Sequence, residues 1–351
     1  MANPSKPAKT VRRSKLGITL FAFLVIGAGL ALAGRWLWQD YQRFVDAPLA
    51  IGESEQVFEV KRGDSFRHVL RRLRSTGIED GRDTYWELLA WQMGVLTRLQ
   101  VGEYALSHGL SPRTLLHKLE QGKVIQYRFT IIEGWSVRDL RRALLANPSL
   151  SQTLAGISNE QLMQQLGREG VHPEGRFLPE TYQFTRGQSD LDVLRRALLA
   201  MDAALDSAWK ARDADLPLKS AEDMLILASI IEKETGQSGE RREIAGVFIR
   251  RMRIGMLLQT DPTVIYGLGE SYNGNLTRVH LQTDTPWNTY TRAGLPPTPI
   301  ALPGVAALRA AVSPAPGDTL YFVARGDGSH QFSRSLAEHN AAVRRYQLRQ
   351  R

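Results

Sequence analysis

The run from Leu16 to Gly34 holds no charged residue, and it constrains this chain more than any other feature. Nineteen residues at about 1.5 Å each span roughly 28 Å as a helix, close to one bilayer core. Lys6, Lys9, Arg12, Arg13 and Lys15 precede the run with no acid among them, whereas Arg35, Asp40 and Asp46 follow it. That asymmetry keeps the N-terminus in the cytoplasm and exports everything after about residue 35. Trp36, Trp38 and Tyr41 suit an aromatic belt at the far interface. The expected order is a cytoplasmic tail at 1–15, a transmembrane helix at 16–34 and a linker at 35–54. Ala31-Leu32-Ala33 keeps a cleaved signal peptide open as the alternative. Both readings place the bulk of the chain in the periplasm.

The rest of the 351 residues suits two modest domains, and 43% hydrophobic content supplies their cores. The net charge of +9 is concentrated at the ends. Five positive charges lie in the first fifteen residues, and Arg344, Arg345, Arg349 and Arg351 close the chain. The remainder is near balance, which argues against nucleic acid as a partner. Cysteine is absent, so disulfides, cysteine-ligated zinc and thiol nucleophiles are excluded. The seven histidines form no metal-ligand spacing, and there is no G-x-S-x-G elbow or P-loop. No metal or other cofactor is expected.

Gln56 to Val60 alternates polar and apolar residues and predicts a strand. A turn at Gly63-Asp64-Ser65 then leads into a helix carrying Val69, Leu70 and Leu73, with Ser65 as its cap. The pattern Gly-x-Ser-x-Arg-x-x-Leu-x-x-Leu starts at Gly63 and again at Gly109, with a shorter echo at Gly134-Trp135-Ser136-Val137-Arg138. It reads as a reused strand–turn–cap–helix device. Gln121-Gly122-Lys123 closes a small domain at 55–123, and a second domain occupies 124–351. The second opens with a strand at Val124–Ile131 and contains an aromatic, Pro-bearing strand or loop at Gly175–Phe184. Residues 257–304 read as a long functional loop. A late strand at Thr319–Val323 and a helix at Ser335–Tyr346 complete an α+β chain.

Ser220 to Gly236 is the most informative segment. Ser220 and Asp223 resemble a capping box, Gly236 suits a helix stop, and Ser238 suits the cap of the next helix. The residues between are apolar nearly all round, which predicts a buried helix. Glu232 and Glu234 fall in its last turn, about 200° apart around the axis. Glu234 continues the stripe of Leu227, Ile230 and Ile231. Desolvation and the negative end of the helix dipole both favour a protonated carboxyl there, as a general acid requires. An ion pair or solvation at the helix end is the competing role for each glutamate, with Lys233 a solvated charge.

ASIIEKET at 228–235, RIGMLLQTDPTVIYG at 253–267, WNTY at 287–290 and GLPPTPI at 294–300 stand out as ordered motifs. Together they resemble the MltG-type (YceG-like) endolytic murein transglycosylases. His330-Gln331-Phe332-Ser333 and His339-Asn340 match the C-terminal pattern, and Val60 to Phe66 resembles the opening of a LysM module, a small glycan-binding βααβ unit. The resemblance implies a LysM-like module followed by a YceG-like catalytic domain. It implies peptidoglycan strands as substrate at the outer face of the cytoplasmic membrane, and peptidoglycan synthases as candidate partners. The catalytic acid carries over to Glu234, with Glu232 as the alternative.

One acid implies a distinct chemistry. It protonates the oxygen between N-acetylmuramic acid and N-acetylglucosamine, then as carboxylate takes the proton of the muramyl C6 hydroxyl, which attacks C1. The product is a 1,6-anhydro end, without water or a second carboxylate nucleophile. Gln259, Asp261, Tyr266, Asn288 and Tyr290 are the candidate sugar contacts, and loop-shaping is the alternative role for Asp261 and Asn288. Two other classes stay open: a catalytically silent glycan-binding scaffold, and a hydrolase in which Asp261 activates water.

Overall fold

The computed structural model describes residues 12–347. Most of the expected tail at 1–15, and Arg349 and Arg351 at the other end, lie outside the described residues. The chain separates into two compact units that meet between Ile125 and Gln126.

The first helix, α1, runs from Arg12 to Asp46. From Ile18 to Gln39 every residue is exposed, including Phe21, Phe23, Leu24 and Ile26. An apolar helix with no protein against it is long enough to cross a bilayer. The helix does not stop where a linker was expected. Residues 40–46 remain helical, and Tyr41 and Val45, one turn apart, are buried in the core of the first unit with Leu49 and Ile51. Tyr41 therefore leaves the aromatic belt. Its hydroxyl donates to Gln92 Oε1 at 2.6 Å, while Trp36 and Trp38 stay exposed.

The first unit continues through β1 (Gln56–Val60), α2 (Phe66–Ser75), α3 (Asp83–Gln92), β2 (Gly102–Leu106) and α4 (Pro112–Gln121). The strands pair antiparallel, Gln56 opposite Leu106 and Val60 opposite Gly102. Alternation turns Phe58, Val60, Tyr104 and Leu106 onto Trp86 and the apolar faces of the three short helices. Ser65 and Ser111 cap α2 and α4 through their hydroxyls, so the repeated Gly-x-Ser pattern is a reused helix start.

The second unit opens with β3 (Tyr127–Thr130) and α5 (Val137–Leu145), where Ser136 makes the third copy of the cap. It continues through α6 (Asn159–Gln165), β4 (Thr181–Phe184), α7 (Asp190–Lys210), α8 (Ala221–Glu234), α9 (Arg241–Arg253) and α10 (Asp261–Leu268). Then come α11 (Arg278–Gln282), α12 (Val305–Val312), β5 (Tyr321–Ala324), β6 (His330–Ser333) and α13 (Leu336–Tyr346). β3 pairs with β4 and β5 with β6, both antiparallel. The stretch 257–304 is thus not all loop, because α10 and α11 lie inside it. The centre of the unit is α8. Met224 to Ile231 are all buried, enclosed by α7, α9, α10 and α12.

Gly175 approaches this helix closely. Its φ is +80°, and a Cβ there would lie 2.8 Å from Pro299 and 3.2 Å from Leu225 Cγ. Gly175→Ala combines a disfavoured backbone with overpacking and should cost about 1–3 kcal/mol. Denaturant unfolding of the full chain should show a lowered midpoint, and an unchanged midpoint would contradict the packing described.

Candidate active site

The site grows from the C-terminal end of α8. Ser220 caps the other end, accepting from Asp223 N–H at 3.2 Å, while the Asp223 carboxylate accepts from Lys219 N–H at 2.7 Å, so the reciprocal bond of a capping box falls one residue early. At the far end the helix stops because Thr235 turns to extended backbone and its buried hydroxyl accepts from Gln237 N–H at 2.9 Å. Gly236 plays no left-handed role. Ser238 caps nothing either. α9 starts at Arg241 after Glu240, whose carboxylate instead accepts from His330 N–H at 2.9 Å and pairs with His330 Nδ1 at 2.7 Å.

Glu234 and Glu232 leave the last turn in different directions. The Glu232 side chain is 4% exposed, bonded to Arg241 Nη2 at 3.2 Å and to the Gly304 N–H at 2.9 Å. It fastens α8 to α9 and to the start of α12. Glu234 is half-buried and reaches a cleft of about 460 Å³, shared with Arg251, Gln259, Asp261, Tyr290 and His330. Burial pushes its pKa up to about 7. The Thr260 hydroxyl, which donates to Glu234 Oε1, opposes this, the Asp261 charge adds to it, and the His330 and Arg251 charges pull it down.

Thr260 is held firmly. Its N–H donates to Thr289 Oγ1 at 3.1 Å, its carbonyl accepts from Thr263 Oγ1 at 2.8 Å, and Gln259 N–H donates to Thr289 O at 3.1 Å. Among the described residues Gln259 alone, apart from glycines, has a positive φ, +51°. Such backbone costs about 1–3 kcal/mol and persists only where neighbours enforce it. Here it turns the chain so that Gln259, Thr260 and Asp261 all face the cleft. Tyr290 donates its hydroxyl to Asp261 Oδ1, and burial raises its pKa, so it stays a donor.

Of the residues singled out from sequence, Glu234, Gln259, Asp261 and Tyr290 come together. Tyr266 does not join them. It faces another cavity and donates to Glu174 Oε2 at 3.1 Å. Asn288 is buried, its amide N–H groups directed to the carbonyls of His280, Leu281 and Thr283 and its Oδ1 to Tyr290 N–H. It shapes the loop that carries Tyr290 and offers nothing to a ligand. Thr260, Arg251 and His330 were not singled out. Thr260 and His330 lie inside the motif stretches, but no pattern tied them to Glu234. Arg251, which donates to Leu258 O at 2.6 Å and Leu320 O at 2.7 Å, had no signal beyond an arginine run.

The arrangement is a carboxyl poised to be protonated near neutrality, with a hydroxyl donor on one oxygen and Arg251 close enough to stabilise its anion. That is the equipment of a general acid that must later act as a base.

Residues 58–345 match the family described as YceG-like. An endolytic murein transglycosylase of Bacillus subtilis strain 168 is 31% identical over 264 residues, covering 70% of this chain and 73% of that one. An endolytic murein transglycosylase of Streptococcus pneumoniae strain D39 is 26% identical over 281 residues, and the match spans half its length. The crystal structure of a YceG-like protein from Listeria monocytogenes is similar with a TM-score of 0.53 at 27% identity, over 83% of this chain and 99% of that chain.

Glu232→Gln should leave Glu234 and its cleft in place and weaken the fold. It removes the nearer of two carboxylates that balance Arg241, which is 11% exposed at the side chain and also meets Glu133 at 3.6 Å. Breaking such a pair costs on the order of 3 kcal/mol. The variant should melt at a lower temperature yet retain substantial activity where folded, and loss of activity with an intact melting curve would reverse the two glutamates' roles.

Proposed function

The chain belongs to the YceG-like family, and from that premise we propose that it is a membrane-anchored endolytic murein transglycosylase with Glu234 as its single acid and base. The observation that carries this reading is Glu234 itself, a carboxyl at the end of a buried helix, raised to about 7 and bonded by Thr260 in a cleft.

With Thr260 donating to Oε1, the acidic proton sits on Oε2. Glu234 passes it to the oxygen between N-acetylmuramic acid and N-acetylglucosamine. The muramyl C1–O bond breaks and C1 gains oxocarbenium character. The Glu234 carboxylate, favoured by Arg251, then accepts the C6 hydroxyl proton while O6 closes on C1. The proton returns to where it began and no water is consumed. Gln259 and the Tyr290–Asp261 pair line the same cleft and bond the sugar hydroxyl and N-acetyl groups.

Glu234→Gln keeps the shape and removes the proton. Loss of general acid catalysis alone costs about 10²–10⁴-fold, and the dual role sets the expectation at or beyond the upper end. The assay is mass spectrometry of glycan products. Anhydromuramyl ends should vanish in the variant, and incorporation of labelled solvent oxygen in the wild type would instead mean hydrolysis. Activity should fall as pH rises through about 7, where the acid is lost. A folded-state pKa above the unfolded value means wild type loses stability as pH rises through about 7. Glu234→Gln should therefore melt above wild type at pH 8, with the gap closing by pH 5.

The cation-rich N-terminal sequence, the exposed apolar length of α1 and the exported substrate together support a cytoplasmic N-terminus and a periplasmic bulk. An alkaline phosphatase fused to the C-terminus should be active in intact cells, and a dark fusion would reverse the topology. The β1–α2–α3–β2 order supports a LysM-like role for the first unit. Sedimentation of the Glu234→Gln protein with insoluble peptidoglycan tests that binding.

A further inference from the structure

The second unit holds a larger cavity, about 1350 Å³, that the chemistry above does not use. It exceeds the volume of typical small-molecule pockets. It shares a wall with the catalytic cleft. Lys233 lines the large cavity and Glu234 the cleft, while Pro262 lines the cavity and Asp261 the cleft. Consecutive residues at the end of α8 and at the start of α10 therefore line different hollows, which places the two hollows beside each other.

The cavity's charge is lopsided. Arg138, Arg142 and Lys233 line it, and exposed Arg138 forms no ion pair among the described residues. The acids there are largely engaged. Asp139 accepts from the Ser136 N–H and hydroxyl, at 3.1 and 2.6 Å, and meets Arg142 at 3.4 Å. Glu174 is 3% exposed and already accepts from Val137 N–H at 3.0 Å and from Tyr266 at 3.1 Å, and burial pushes its pKa up to about 7. Glu270 remains at the edge. Tyr266 and Trp287, edge to face at 5.7 Å, supply an apolar wall. A cationic, partly aromatic hollow beside a glycan-cutting cleft fits a carboxylate-bearing chain better than a neutral sugar.

We infer that this cavity is a second subsite that binds the acidic stem peptide borne by a muramyl residue, with Arg138 as its main carboxylate contact, so that the enzyme selects strands whose peptides are still attached. This rests on the murein reading above.

The test compares full-length wild type with Arg138→Glu on matched glycan strands, with stem peptides and with the peptides removed by an amidase. Charge reversal should raise KM on peptide-bearing strands about tenfold with kcat unchanged, and leave peptide-free strands unaffected. An equal rise on both substrates, or no rise on either, overturns the subsite. Pelleting assays with the Glu234→Gln protein, with and without Arg138→Glu, give a readout independent of cleavage. If wild type cuts neither substrate, the enzymatic reading fails. A preference for peptide-bearing strands that disappears with Arg138→Glu would still support the subsite, and its absence would sink it.

Discussion

Burial of the middle of α8, Met224 to Ile231, is the constraint on which the second unit depends. A helix apolar on every side can be stable in water only when other elements enclose it. Here α7, α9, α10 and α12 do so. A helix buried to its last turn must also end among protein atoms, where carbonyls and carboxylates lack water. The two glutamates there meet that difficulty differently. Glu232 is neutralised by Arg241 and anchored to the Gly304 backbone. Glu234 has only a hydroxyl donor at hydrogen-bond distance and a more remote cation, so its proton is held more tightly. One desolvated helix end thus yields a clamp and an acid two residues apart.

The opposite side of the cleft is organised by backbone strain. The left-handed Gln259 is stabilised by the threonine network of Thr260, Thr263 and Thr289. These side chains are short and buried, so they leave the backbone little freedom to relax. The cost is offset by placement, since Thr260 reaches Glu234 and the next residue begins α10. A local preference is overruled where the functional geometry requires it.

What could be read from sequence follows the range of the interactions involved. The three Gly-x-Ser helix starts and the face of Glu234 are set within a few residues by capping and by the 3.6-residue period, and they were legible. Tyr266 lines a different cavity from Glu234, and Asn288 takes the loop-shaping one of its two expected roles, because residue type suits sugar binding while direction depends on the path of a long connection. His330 was silent as a functional residue because its tether, Glu240, lies ninety positions earlier. The helical continuation of α1 had a signal in the spacing of Tyr41 and Val45, but Asp40, Arg43 and Asp46 around them gave it the look of a polar linker.

That continuation changes what the N-terminal segment is mechanically. A linker would have let the first unit swivel and drift from the lipid surface. With Tyr41 and Val45 locked into that unit's core, the same helix passes without a joint from the unit into the apolar span. About twelve residues lie between Gly34 and the end of α1, roughly 18 Å of helix. On the membrane-anchored reading, the first unit rides on a short rigid strut. Its height and tilt follow those of the anchor, and it can survey the wall only by travelling laterally with the lipid.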